Sequence, residues 1–169
     1  MAFLPPFCLE HPSAKRGVWF ILVLPKHLSS AAWPSFRAIA INDQALPANS
    51  FTKVNLAGEK YDTSDSYDSA TSIFTAPVAG IYHFDATIKT DTPQSTRYIC
   101  RFSAGSDTDN RFYDGAGGPS GGTASGSMDI KLNAGDAVSV ECWRNNSGTI
   151  VSSYGYSSFS GRLVRVLSN

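Results

Sequence analysis

Apolar and polar positions alternate with a period of two through most of the chain after Pro34, the mark of half-buried strands. Tyr82, Phe84, Ala86 and Ile88 alternate with His83, Asp85, Thr87 and Lys89. Tyr98, Cys100 and Phe102 alternate with Arg97, Ile99 and Arg101, and Met128, Ile130 and Leu132 with Asp129 and Lys131. Val138, Val140 and Cys142 alternate with Ser139 and Glu141, and Phe159, Gly161 and Leu163 with Ser160 and Arg162. An earlier run sets Phe36, Ala38 and Ala40 against Arg37, Ile39 and Ile41. Turn chemistry bounds these runs, as in Asn133-Ala134-Gly135-Asp136 between two of them. No stretch holds a helical apolar period over three turns, so the pattern predicts an all-β sandwich or barrel.

Two segments fall outside the alternation. Asp114 to Ser127 reads DGAGGPSGGTASGS, a composition that predicts a long mobile loop. Residues 1–33 carry two of the three histidines and four prolines, and read as a leader or N-terminal extension, disordered or non-native, ahead of one domain over 34–169. The longest apolar run, Val18–Leu24, is too short to span a bilayer as a helix. It also makes a poor signal peptide, because Pro25-Lys26-His27 interrupts the approach to a cleavage site at Ser30-Ala31-Ala32.

The chain has 169 residues, 42% hydrophobic and 17% charged, which suits one globular domain with a real core. Lys plus Arg and Asp plus Glu both number 14, so no excess of positive charge points to nucleic acid. Three cysteines leave at least one unpaired, and none shows the CxxC spacing of a zinc or redox site. Cys100 and Cys142 sit in alternating strands and read as buried free thiols that behave as small apolar residues.

Spaced residues from Leu56 to Ala86 carry more than periodicity. Asp62, Tyr67, Phe74, Gly80, Tyr82 and Phe84 fall at the spacings of the C1q signature, with Leu56 where Phe is usual and Ala86 where a last aromatic is usual. The stretch Phe74-Thr75-Ala76-Pro77-Val78-Ala79-Gly80-Ile81-Tyr82, the turn Leu132…Gly135-Asp136-x-Val138 and the late strand Ser158-Phe159-Ser160-Gly161 continue the match in order. The chain therefore resembles the C1q family over about residues 35–167. The resemblance implies a tumour-necrosis-factor-like jelly roll: two roughly five-stranded antiparallel sheets in each subunit, assembled as a compact homotrimer.

A trimer needs an apolar stripe on an outer face. Ile39, Ile41, Ile81, Ile99, Val164 and Val166 point opposite to the core positions of their strands and are the interface candidates. The resemblance further implies an extracellular protein or glycan ligand bound through loops. Arg111, Phe112, Tyr113, Trp143, Arg144, Tyr154 and Tyr156, in or flanking the Asp107–Gly122 and Asn145–Gly155 regions, are the residue types that anchor interfaces. No cofactor is required. Asp107, Asp109 and Asp114 make a candidate calcium loop, and Asp62, Asp65 and Asp68 a weaker one.

Neither a phosphate-binding Gly-Lys-Ser/Thr ending nor a Gly-x-Ser-x-Gly elbow is present, and His83 is the one histidine of the domain. The expectation is a non-enzymatic trimeric ligand-binding and assembly module, secreted or surface-exposed. The alternative is a structural tip or fibre protein of a virion or spore surface, in which trimerisation is the main role.

Overall fold

A computed structural model of the chain describes residues 33–91, 96–105, 107–117, 121–152 and 155–167, without the side chains of 107–109. The leader and its apolar run lie outside the described residues. Thirteen strands are described: β1 (Ser35–Ile39), β2 (Gln44–Leu46), β3 (Thr52–Lys53), β4 (Gly58–Asp62), β5 (Tyr67–Asp68), β6 (Ile73–Thr75), β7 (Gly80–Thr90), β8 (Arg97–Ala104), β9 (Asp107–Ala116), β10 (Gly122–Leu132), β11 (Ala137–Arg144), β12 (Gly148–Ile150) and β13 (Ser158–Val166).

They form two antiparallel sheets of a jelly-roll sandwich. The first has seven strands, ordered β2-β12-β7-β13-β1-β4 with β10 on the other edge of β7. The second has six, ordered β5-β6-β11-β8-β9 with β3 beside β11. Five of the strands, β2, β3, β5, β6 and β12, are of two or three residues each. Each alternating run of the sequence is a strand, and β7 alternates buried and part-exposed residues over its full length.

Aromatic rings fill the space between the sheets. Phe36 stacks on Tyr67 and Phe74 at centroid distances of 4.7 and 4.9 Å, and Phe159 meets Phe36 edge-on at 4.9 Å. Leu56, Tyr67, Phe74, Tyr82, Phe84 and Phe159 are all buried in this one cluster. Gly161 opposes Phe84 and Phe36: an added Cβ would lie 2.6 Å from one ring and 2.8 Å from the other. At Gly80 a Cβ would lie 2.7 Å from the Arg165 carbonyl oxygen, so close packing of β7 on β13 requires glycine there.

Two expectations are corrected. The glycine-rich stretch is not one long loop, because Gly122–Leu132 pairs along the whole of β7. Its small residues are what admit the neighbours: Gly126 leaves room for Phe112 of β9, and Gly122 for the ring of Tyr98. Cys100 and Cys142 are not free thiols. The register of β8 against β11 sets them directly opposite, and they form a disulfide. An odd count forbids pairing all three cysteines, not two of them.

Candidate functional site

The signature positions build a turn and a core. Asp62, at the end of β4, accepts the backbone N–H groups of Ser64, Ser66 and Tyr67 at 3.0, 2.6 and 2.6 Å. This draws the chain into β5 and buries Tyr67, whose hydroxyl donates to the Leu56 carbonyl at 2.9 Å. Burial pushes the Tyr67 phenol up to about 12. Tyr82 donates in the same way to the Val78 carbonyl at 2.8 Å. Asp68 accepts from Thr71 Oγ1 and from the Ala70 N–H, which hold its carboxyl below the usual range. Asp62 and Asp68 are thus turn-forming carboxylates, as short acidic side chains commonly are. An open groove of about 560 Å³ lies outside this turn, lined by Glu59, Asp65, Asp68, Thr75 and Pro77 among others.

The outer face of the seven-stranded sheet carries four of the six interface candidates, Ile39, Ile41, Ile81 and Val164. Ile81 and Val164 lie at one end of β7 and β13, but the bulge between Leu163 and Arg165 pairs Arg165 with Ile81 and Val166 with Gly80, which turns Val166 to the core side of the sheet. Ile39 and Ile41 meet over Gly58 near the other end of the face, where a Cβ at Gly58 would strike both. Ile99 is not among them, because β8 belongs to the six-stranded sheet and Ile99 is buried there. Between these apolar groups, and beside Ile81 at Lys131 and Arg165, the face is charged. His83 Nδ1 lies 2.6 Å from Asp129 Oδ1, and its Nε2 3.4 Å from Asp85 Oδ1. With both ring nitrogens against carboxylates, His83 has no nitrogen aimed at a nucleophile, which is what triad chemistry needs.

The ligand-loop candidates do not share one surface. A bulge at Phe112, between the pairs Tyr113–Cys100 and Arg111–Arg101, turns both Phe112 and Tyr113 toward the core. Phe112 packs on Phe102 at 4.7 Å and Tyr113 on Tyr98 at 4.6 Å. Arg111 of the same strand is exposed. Trp143 is half-buried on β11. Tyr156 is exposed near the seven-stranded sheet, with the Lys89 ammonium 4.2 Å above its ring. Tyr154 lies outside the described residues.

Arg144 is a correction. It was expected on the surface, but it is fully buried at the end of β11, where Nη1 bonds Asp91 at 3.1 Å and Nε and Nη2 find no partner. Burial pushes the Asp91 carboxyl up, yet its bonds from the Thr149 N–H and Arg144 outweigh this and hold it low. The neighbouring Tyr98 phenol, also without a partner, is raised by burial and by Tyr113.

The proposed calcium loop is strand β9, and its one described carboxylate is engaged. Arg97 Nε and Nη2 donate to the two oxygens of Asp114 at 2.8 and 2.7 Å, which lowers its pKa. Among the described residues, no three His, Cys, Asp or Glu side chains converge as metal ligands do.

Sequence reasoning missed several pairings: His83 with Asp129, and Arg101 with Glu141 at 2.7 Å beneath the ring of Phe51. Their outward positions were legible from alternation, but their partners depend on register.

The C1q domain family model matches residues 35–164. The chain belongs to the C1q domain family. Solved structures agree on the fold of this C1q domain. The globular domain of zebrafish complement 1qA is 18% identical, with a TM-score of 0.55 over 79% of this chain and 99% of its own. Murine APRIL at pH 8.0 is 12% identical, with a TM-score of 0.61 over 79% of this chain and 100% of its own. The Eiger TNF of S. frugiperda is 8% identical, with a TM-score of 0.56 over 80% and 94%. No curated protein matches the sequence. C1q and TNF-like domains are generally non-enzymatic, typically extracellular, and known for trimeric assembly and ligand recognition.

Proposed function

We propose that this C1q domain is a non-enzymatic, extracellular or surface-exposed module that works as a homotrimer and binds a protein or glycan through its rim. The outer face of the seven-stranded sheet carries the reading. Ile41 and Val164 there are 54% and 47% exposed, and Ile39 and Ile81 are part-exposed on the same face. Among the described residues all strands belong to the two sheets, and no third layer covers this face. Uncovered apolar residues beside a polar centre favour association, and the trimeric assembly known of the family supports closure at three copies. Exposed Arg111 and Tyr156 remain the described ligand candidates, and three copies of a weak site would bind together.

The test is the solution mass of the full chain by light scattering, with Ile81→Asp and Val164→Asp as variants. A mass three times that of the chain, falling to one in the variants with the β-sheet circular dichroism kept, is the expected result. A wild-type monomer at tens of micromolar overturns the reading.

A further inference from the structure

The middle of the proposed trimer face poses a charge problem. His83 stands on β7 with Asp85 two residues on along the same strand, Asp129 opposite on β10 and Arg162 opposite on β13. Its Nδ1 is 2.6 Å from Asp129 and its Nε2 3.4 Å from Asp85, while Arg162 Nη1 reaches the other Asp85 oxygen at 3.8 Å. A neutral imidazole has one N–H and one lone pair, so it can donate to only one of two carboxylates. Its other nitrogen then faces a carboxylate oxygen, lone pair to lone pair. Only the imidazolium donates to both.

In the single chain water relieves this conflict, because the side chains of Asp85 and Asp129 are 49% and 58% exposed. Covering the face removes that water and strengthens each charge interaction left inside. The ring of Asp85, Asp129 and Arg162 sums to −1 with a neutral histidine and to zero with a protonated one. Other cations stand further out: Lys131 of β10 and Arg165 of β13 are both paired with Ile81, Arg37 of β1 is paired with Ser160, and Lys89 of β7 sits over Tyr156. Lys131, Arg165 and Arg37 are exposed and can extend to water at the rim, so the contacts at the ring set the sign.

We infer that assembly through this face is coupled to proton uptake at His83, so that mild acid strengthens the trimer. The inference rests on the trimer reading of the face. Imidazoles change charge between about pH 5 and 8. One proton taken up by each of three copies would raise the trimerisation constant up to about 1000-fold for each unit the pH falls.

Sedimentation equilibrium of the full chain from pH 8 to pH 5 tests it, with exchange between differently labelled copies as the readout where dissociation is too weak to see. Wild type should associate more tightly, and exchange more slowly, as pH falls. His83→Gln should flatten the dependence. Asp129→Asn, which lets a neutral imidazole accept on one side and donate on the other, should tighten the trimer at pH 8 and shrink the slope. A trimer whose constant is flat across this range, rises with pH, or keeps its slope in His83→Gln overturns the proton linkage alone. A chain that is monomeric at every pH overturns the trimer reading beneath it as well.

Discussion

Gly148 lies flat against the guanidinium of Arg144, with no room between them for a Cβ. The contact clamps the end of the sandwich. Arg144 also holds Asp91, just beyond β7, through Nη1, and its carbonyl accepts the Asn49 N–H at 2.6 Å. Gly148→Ala should therefore destabilise the fold by about 1–3 kcal/mol through overpacking. Arg144→Met should cost less than breaking a well-satisfied pair, because two of its donors already lack partners and Asp91 keeps the Thr149 N–H at 2.7 Å. The double variant should be more stable than the two losses sum to. Urea denaturation of the four proteins measures the coupling, and strict additivity would count against the clamp.

The Cys100–Cys142 bond joins two neighbouring strands of the six-stranded sheet across 42 residues of sequence. Cross-linking that span limits the unfolded chain, so replacing both residues by Ala should lower stability by about 2–5 kcal/mol. Intact mass before and after reduction of the unfolded chain reports the bond directly, as a gain of two hydrogens. A disulfide of this kind persists in oxidising surroundings, which accords with an extracellular setting. Three free thiols in place of one, in protein matured under such conditions, would contradict the pairing.

Much of this was legible from local pattern. Tyr82, Phe84 and Ile88 face the core because alternation in β7 is unbroken, and the signature spacing found the Asp62 turn without any knowledge of pairing. What stayed hidden depends on register between distant segments. Cys100 and Cys142 become a disulfide only when β8 and β11 align residue for residue. Gly122 to Ser127 looks like linker because glycine and serine bury little area, but their backbone ladder to β7 and the rings that need their smallness make them strand. Arg144 reads as a surface residue by type, and only the fold's loop packing places it inside.

Buried phenols should set the alkaline limit. Burial raises Tyr67 to about 12 and raises Tyr98 further, helped by Tyr113. A raised folded value means stability that is fully present below the unfolded value near 10 and is lost as pH rises through the folded ones. Melting temperature should thus hold steady to about pH 9 and then fall. Phenolate absorbance should show Tyr67 and Tyr98 ionising only as the chain unfolds. Reversible ionisation of every tyrosine near pH 10 in a folded sample would sink this account.

The Asp62 carboxylate organises more backbone than any single side chain at its turn, with three N–H groups on two oxygens and Asp65 held at a φ of 52° inside the loop. Asp62→Ala leaves those donors to water where they can reach it, and should cost about 1–3 kcal/mol. Asp62→Asn keeps one acceptor oxygen and should cost less. The loss should pass to Tyr67, whose hydroxyl bond to Leu56 and stack on Phe36 follow from the turn. Chemical denaturation gives the ranking wild type, Asn, Ala, and near-ultraviolet circular dichroism reports the tyrosine's packing. Asp62 ends β4 of the seven-stranded sheet but pairs with the core residue Phe36 and turns its carboxylate to β5 of the other sheet, so folded Asp62→Asn should keep the wild-type mass in solution. A folded variant with a changed mass would place this turn in the subunit contact.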